Sequence, residues 1–297
     1  MKAPIFTGSC TAIVTPFASD GKINKTKMAE IIDFQIAGGI KALVINGTTG
    51  ENATQPLDEH TDLVDFCVGH INRRCKVIAG VGSNDTSTAL HLATRAKASG
   101  ADGILMVTPY YNKTTQKGLV KHFTYVADRV DIPMILYNVP GRTTMSISAD
   151  TYKILADHPN INGTKEASAD FSLIGTVRAA VGDKLNVWSG NDDNTVPMMA
   201  LGAIGVISVA SNIIPDVITN ICNLALEGNF KAAAQLQLKY MDLFNKLFIE
   251  VNPMPVKAAM NLMGMAVGEP RLPLCEMGSE NLEKLRRSMV DVGLKLV

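Results

Sequence analysis

The sequence predicts an α/β protein in which parallel strands alternate with helices, and three observations carry that prediction. Eight short runs rich in β-branched and apolar residues recur roughly every 20–35 residues, the spacing of repeated strand–helix units. The runs are continuously apolar rather than alternating, which is typical of parallel strands buried on both faces. Eight units fit into the first 228 residues, which favours a closed (β/α)8 TIM barrel over an open doubly wound sheet.

The predicted strands are short, and helical patterns or loops follow each of them. They are the runs 11–14, 42–45, 77–80, 103–107, 134–137, 161–165, 185–188 and 205–209. The connecting segments look helical: within 27–37, apolar residues at 28, 31, 32 and 36 form one stripe.

The pattern changes after Gly228, where strand-like runs stop. The stretches 230–250, 255–265 and 279–296 all have helical patterns. We therefore predict a barrel over residues 1–228 and a small C-terminal all-helical appendage over residues 229–297.

Composition excludes several classes of protein. The 28 basic and 28 acidic residues balance, so we expect neither a nucleic-acid partner nor attraction to an anionic membrane. The uncharged stretch 194–215 is broken by prolines and glycines, and Met1–Phe6 lacks the apolar core of a signal peptide. We therefore expect a cytoplasmic protein that does not span a membrane.

Cysteine and histidine spacings give no support for a metal site. The five cysteines show no C-x-x-C pair, so we expect buried free thiols, and the five histidines are scattered. Gly80-Val81-Gly82 lacks the third glycine of a dinucleotide fingerprint, and there is no Walker loop. Neither a bound metal nor a nucleotide cofactor is expected.

Lys165 is the residue most suggestive of chemistry, because it ends the sixth predicted strand. In a (β/α)8 barrel the C-terminal strand ends face the active site. A lysine desolvated there loses its proton more readily, and its neutral amine can attack a carbonyl carbon. Taken alone, Lys165 is better explained as an exposed charge at a strand end, which is the common situation for lysine.

Three further segments follow predicted strands. Gly47–Glu51 brackets two threonines with glycines, so main-chain N–H groups could converge on a carboxylate there. Tyr110 and Tyr111 form an aromatic pair in a loop, Tyr137 closes an apolar strand, and Arg142 is suited to bidentate carboxylate recognition. Each of these has an ordinary structural explanation when it is considered alone.

Together they suit imine chemistry on an α-keto acid. The lysine amine would attack the ketone, and the resulting iminium would acidify the adjacent C–H to give an enamine carbon nucleophile. Tyr137 is a poor base by itself because a phenol has a pKa near 10, but hydrogen-bonded to Thr48 and Tyr111 it could relay protons.

Several motifs carry a family resemblance. The segments 47–51, 109–112, 137–143, 163–166, 189–192 and 271–274 resemble the signature segments of the pyruvate-dependent class I aldolase and lyase barrels. Within that superfamily the chain is similar to the dihydrodipicolinate synthase family over essentially its whole length.

The resemblance implies a reaction and a set of residue roles. Lys165 would form a Schiff base with pyruvate, so no separate cofactor is needed. The main-chain amides of Thr48 and Thr49 would hold the pyruvate carboxylate, and Arg142 would bind the carboxylate of the second substrate, L-aspartate-4-semialdehyde. The product, 4-hydroxy-tetrahydrodipicolinate, would enter diaminopimelate and lysine biosynthesis.

The remaining implied roles concern the relay, the pocket and the assembly. Tyr137, Thr48 and Tyr111 would form the proton relay, with Tyr111 donated across a subunit interface. Gly190 and the carbonyl of Ile207 would line the pyruvate pocket. The family is typically a homotetramer, built as a dimer of dimers.

The resemblance also extends to an effector pocket, with one departure. Lysine-inhibited members are similar to this chain at Ala53, His60, Asn84 and Tyr110, but they usually carry a histidine and a glutamate where this chain has Leu57 and Thr88. Without the acidic partner, a bound ammonium would lack its counter-charge. We therefore expect weak or absent inhibition by L-lysine.

Two alternatives stay open. One is an N-acetylneuraminate lyase-type enzyme or another pyruvate aldolase, although a sugar-acid enzyme has no evident need for the Arg142 cation. The other is a non-catalytic barrel that binds a keto acid, which would be expected to lose the lysine or the relay.

Overall fold

The computed structural model describes residues 2–297 and confirms the predicted (β/α)8 barrel. Eight parallel strands pair in chain order, and the eighth pairs with the first to close the barrel. The strands are β1 Gly8–Ala12, β2 Ala42–Ile45, β3 Lys76–Gly80, β4 Gly103–Val107, β5 Met134–Asn138, β6 Ile161–Glu166, β7 Asn186–Ser189 and β8 Gly205–Ser208.

Thirteen α-helices occur in the described chain. They are α1 Lys25–Ala37, α2 Leu57–Ile71, α3 Thr86–Ser99, α4 Gln116–Ala127, α5 Pro140–Thr143, α6 Ala149–Ala156, α7 Phe171–Val181, α8 Thr195–Ala200, α9 Pro215–Leu226, α10 Phe230–Lys239, α11 Met241–Lys246, α12 Met254–Leu262 and α13 Ser279–Asp291. None of the described helices is both long enough and apolar enough to cross a bilayer.

Most predicted elements match the observed ones to within one or two residues, and the first strand and the helix 230–250 illustrate the differences; the predicted helices 255–265 and 279–296 end earlier, at Leu262 and Asp291. The first strand begins at Gly8 and ends at Ala12, because the N–H of Val14 donates to the Asn212 side chain (3.1 Å) and not to a neighbouring strand. The predicted helix 230–250 is divided at Tyr240, whose backbone (φ −101°, ψ 6°) is not helical. The expectation of buried thiols holds for four of the five cysteines, whereas Cys275 is exposed.

The barrel interior is closed by aromatic packing. Phe6, just before β1, stacks on the fully buried Trp188 of β7, with ring centroids 5.0 Å apart. A Cβ at Gly163 would lie 2.5 Å from the Trp188 ring, so only glycine leaves room for this indole beside β6. Since Phe6 precedes β1 in a parallel barrel, this packing fills the barrel end opposite to the C-terminal strand ends.

A buried ion pair fastens the C-terminal helices to the β2 loop. The ammonium of Lys257 in α12 lies 2.8 Å from Glu51, and both side chains are 1% exposed. Lys257 also donates to the carbonyls of Thr15 and Glu269, while the N–H of Arg271 donates to the second Glu51 oxygen (2.8 Å). Burial lowers the pKa of Lys257, and the Glu51 carboxylate opposes that shift.

We predict that Lys257→Met destabilises the fold by about 3–5 kcal/mol, because it leaves the Glu51 carboxylate buried without a counter-charge. Urea unfolding at neutral pH measures the change. Lys246→Met is the matched control: it removes a surface pair with Asp242 and should cost no more than about 1 kcal/mol. Equal losses in the two variants would contradict the role given to the buried pair.

Candidate active site

A small cavity of about 60 Å³ lies at the C-terminal ends of the strands, where a (β/α)8 barrel carries its active site. Six of the predicted site residues line it together: Thr48, Thr49, Tyr137, Arg142, Lys165 and Gly190. The other lining residues are Ala12, Val44, Gly47, Leu105, Val139, Ala167, Asn191, Val209, Phe248 and Asn252.

Lys165 is a buried lysine. Its side chain is 5% exposed, which rules out the solvated strand-end alternative. The strand register pairs Lys165 with Tyr137, and the lysine Nζ lies 4.4 Å from the centroid of the Tyr137 ring. Within residues 2–297 no carboxylate forms an ion pair with this amine and no hydrogen-bond acceptor contacts it. The amine is therefore free to react with a carbonyl compound in the cavity.

The neighbour of Lys165 anchors the end of β6. The Glu166 carboxylate accepts hydrogen bonds from the Asn138 amide (3.0 Å to each oxygen), the Ser168 N–H (2.8 Å) and the Tyr152 hydroxyl (3.1 Å). Burial raises the pKa of Glu166. These bonds fix the backbone that carries Lys165, and sequence reasoning missed all of these anchoring residues. Their positions could have indicated them: Asn138 and Glu166 each come one residue after a predicted site residue, Tyr137 and Lys165, so they lie side by side on neighbouring strands.

The β2 loop forms a turn with free donors. The N–H groups of Gly50 and Glu51 donate to the carbonyls of Gly47 and Thr48, whereas no acceptor within residues 2–297 receives the N–H groups of Thr48 and Thr49. Glu51 has a left-handed backbone (φ 57°), and its side chain accepts a hydrogen bond from Lys257. Two unpaired N–H groups on a cavity wall are suited to hold a carboxylate.

Arg142 reaches the cavity from the short helix α5. Its Nη2 atom donates to the Asn252 carbonyl (3.1 Å), which leaves its other N–H groups for a ligand. The helix is held by a hydrogen bond between the hydroxyls of Thr108 and Thr143 (2.8 Å). The same cavity wall includes Phe248, from the segment between α11 and α12 that also carries Asn252.

The remaining predicted site residues lie outside the cavity lining. Tyr111 is 92% exposed and has a left-handed backbone (φ 67°). Ile207 is fully buried in β8, among the side chains of the barrel interior, and Val209 is the residue after β8 that lines the cavity.

The six candidate effector residues occupy two helix starts and one loop. Ala53 and Leu57 are exposed near the start of α2, while His60 is buried with its Nε2 atom 2.9 Å from the Gly80 carbonyl. Burial lowers the pKa of His60 to about 4, so the ring is neutral at neutral pH.

The other effector candidates lie near the start of α3 and in the loop after β4. The Thr88 hydroxyl donates to Asp85 (2.6 Å), the residue that caps α3. The Asn84 carbonyl accepts from Asn112 (2.9 Å), and Tyr110 is about one-third exposed.

The fold and the cavity lining define the class: a (β/α)8 barrel with a buried lysine at the end of its sixth strand and a tyrosine beside it, as the resemblance to the pyruvate-dependent class I aldolase and lyase barrels implies. Within that class, residues 5–291 match the model of the dihydrodipicolinate synthetase family, and the chain belongs to this family.

Similar proteins cover the whole chain. The 4-hydroxy-tetrahydrodipicolinate synthase of Acetivibrio thermocellus is 49% identical over 99% of this chain and 100% of its own length. The dihydrodipicolinate synthase structure from Aquifex aeolicus has a TM-score of 0.95 at 45% identity, covering 98% of this chain and 99% of that one. A chloride-inhibited dihydrodipicolinate synthase from Acinetobacter baumannii, solved with pyruvate, also has a TM-score of 0.95, at 40% identity over 97% of this chain and 99% of its own.

We predict that Gly190→Ala destabilises the protein by about 1–3 kcal/mol, the usual cost of overpacking a filled site. The new Cβ would lie 2.6 Å from the Cβ of Ala167 and 3.1 Å from the Glu166 carbonyl. Chemical denaturation measures the loss. Gly175→Ala in α7 is the control, because its Cβ meets no atom within 4 Å and should stabilise the helix by up to about 1 kcal/mol. A Gly190→Ala protein as stable as the control would contradict this packing.

Proposed function

We propose that this chain is a lyase that condenses pyruvate with L-aspartate-4-semialdehyde to give 4-hydroxy-tetrahydrodipicolinate, in diaminopimelate and lysine biosynthesis. The observation that carries the proposal is the buried amine of Lys165, 4.4 Å from the centroid of the Tyr137 ring, in a cavity whose wall includes Thr48 and Thr49. The curated relatives that match the whole chain have this activity in their names.

Lys165 acts first as the nucleophile. Its amine attacks the ketone carbon of pyruvate, water leaves, and the protonated imine draws electrons from the neighbouring methyl group. Loss of a methyl proton gives an enamine, whose carbon attacks the aldehyde carbon of the second substrate. The amino group of that substrate then displaces Lys165 as the ring closes. The chain therefore needs no external cofactor.

The proton transfers use Tyr137 and Thr48. A phenol alone is a poor base at neutral pH, so Tyr137 depends on hydrogen-bonded neighbours that share the proton. We assign the third member of the relay to Tyr111 of a second copy of the chain. In support, Tyr111 is almost fully exposed and lies outside the cavity of its own chain. A homotetramer built as a dimer of dimers, working in the cytoplasm, fits this assignment.

Two groups in the cavity lining each bind one substrate carboxylate. The unpaired N–H groups of Thr48 and Thr49 hold the pyruvate carboxylate, with Gly190 along the pyruvate pocket. The Ile207 carbonyl, outside the cavity lining, would border the pocket only once pyruvate is bound. Arg142 binds the carboxylate of the semialdehyde, since a guanidinium offers two parallel N–H groups to a carboxylate. Pyruvate reacts first, because the imine must form before an enamine carbon is available to attack the second substrate.

A turnover assay tests the proposal. Purified protein is mixed with pyruvate and L-aspartate-4-semialdehyde, and both substrates and the product are followed by mass spectrometry. We expect the two substrates to disappear in equal amounts in the wild type and to persist with Lys165→Met. Cleavage of N-acetylneuraminate without use of the semialdehyde would favour the sugar-acid lyases. Folded protein that binds pyruvate and turns over neither pair would favour a keto-acid-binding barrel.

We predict that Arg142→Ala raises the KM for the semialdehyde by about 10- to 100-fold, as expected for loss of a charged hydrogen-bonding group. The KM for pyruvate should stay within about twofold, because the Thr48 and Thr49 amides are retained. Steady-state kinetics with each substrate varied in turn measures both values. Arg129→Ala, which removes an exposed arginine stacked on Tyr125, is the control. A larger change in the KM for pyruvate than for the semialdehyde would contradict the assignment of Arg142.

We predict that L-lysine inhibits this enzyme weakly or not at all, with no strong inhibition below millimolar concentration. Thr88 supplies no charge for the effector ammonium, and both oxygens of the nearby Asp85 are used to cap α3 through Ser87 and Thr88. The double variant Leu57→His and Thr88→Glu should become more sensitive to L-lysine than the wild type. Inhibition of the wild type at submillimolar L-lysine would show that this prediction is wrong.

A further inference from the structure

Asn252 connects two parts of the barrel mouth that the sequence keeps far apart. It lies just before α12, is 4% exposed and lines the cavity that holds Lys165. Its side-chain amide donates to the Thr49 hydroxyl oxygen (3.0 Å), while its main-chain carbonyl accepts from Arg142 (3.1 Å). One residue of the C-terminal segment therefore contacts the two residues that hold the two substrate carboxylates.

The hydrogen bond from Asn252 leaves the Thr49 hydroxyl with a proton to donate. A hydroxyl has one donor and two acceptor positions. The Asn252 amide occupies an acceptor position of Oγ1, and within residues 2–297 no acceptor receives the hydroxyl proton. Thr48 and Thr49 are adjacent residues that both line the cavity, so the hydroxyl and the two unpaired N–H groups are three donors on one part of its wall.

The carbonyl oxygen of the Asn252 side chain shows that packing alone does not explain this residue. Its Oδ1 atom is buried and has no hydrogen-bond donor in the described structure. A buried acceptor without a partner is unfavourable, and such groups occur preferentially where function requires them. An apolar side chain of similar volume would fill the same space without that cost.

We propose that Asn252 is a positioning residue for the keto acid: it orients the Thr49 hydroxyl so that its proton points at the substrate carboxylate. This inference rests on the proposed function, because it takes pyruvate as the ligand of the Thr48 and Thr49 amides. The carbonyl of Asn252 separately holds Arg142 in place. The side chain and the backbone of one residue thus act on different substrates.

The chemistry explains why an amide is needed at this position. A carboxylate in its place would accept a hydrogen bond from the Thr49 hydroxyl, which would point that O–H away from the ligand. It would also add negative charge close to the pyruvate carboxylate. An aliphatic side chain would leave the hydroxyl free to rotate. Both changes weaken pyruvate binding, and both retain the main-chain carbonyl that Arg142 contacts.

Steady-state kinetics of Asn252→Asp and Asn252→Leu test the proposal. We expect the KM for pyruvate to rise about tenfold or more in each, the effect of losing one hydrogen bond to a charged group. The kcat should change by no more than about threefold, and the KM for the semialdehyde by no more than about twofold, because the interaction lost is with bound pyruvate. Asn261→Leu is the matched control: it alters an asparagine of the neighbouring helix α12, whose side chain bonds only the backbone of Val267 and Gly268.

A double-mutant cycle with Thr49→Val separates positioning from a general loss of structure. If Asn252 acts through the Thr49 hydroxyl, Asn252→Leu should add little to the KM for pyruvate once that hydroxyl is absent. Additive effects would overturn the proposal, as would equal increases in both KM values or an unchanged KM for pyruvate in both Asn252 variants. Absence of turnover in the wild type would instead refute the proposed function.

Discussion

The parallel pairing of β5 with β6 is the constraint on which the site depends. It sets Tyr137 beside Lys165 and Asn138 beside Glu166. Because side chains alternate along a strand, the first pair faces the cavity while the second pair lies on the other side of the sheet. A slip of one residue would exchange the two pairs and bury the amine among the anchoring groups. The hydrogen bonds that Glu166 accepts therefore protect the register that places Lys165 in the cavity.

The C-terminal helices complete the site. The buried pair of Lys257 with Glu51 holds the β2 loop against α12, and the segment just before that helix supplies Asn252 to the cavity. A buried ion pair adds little stability compared with an apolar pair of the same size, but it requires one geometry. Stability and function are linked here, because the loop that carries Thr48 and Thr49 is positioned by the same contacts that fasten the appendage.

Much of this arrangement could be predicted from the sequence, because strand ends in a parallel barrel have a fixed direction. Lys165 and Tyr137 were predicted from their positions after apolar runs, and the structure places both in the cavity. Asn252 could not be predicted in this way, since it follows no strand and meets Thr49 only through the folding of distant segments. Tyr111 shows a second limit, since its proposed task needs a second copy of the chain.

Reductive trapping of the imine shows directly whether Lys165 is the nucleophile. The protein is incubated with pyruvate, reduced with borohydride and digested, and the peptide that gains mass is located by mass spectrometry. We expect a stable adduct on Lys165 that forms only with pyruvate and is absent from Lys165→Met. A folded wild-type protein whose Lys165 remains unmodified, under conditions that label a known class I aldolase, would contradict it.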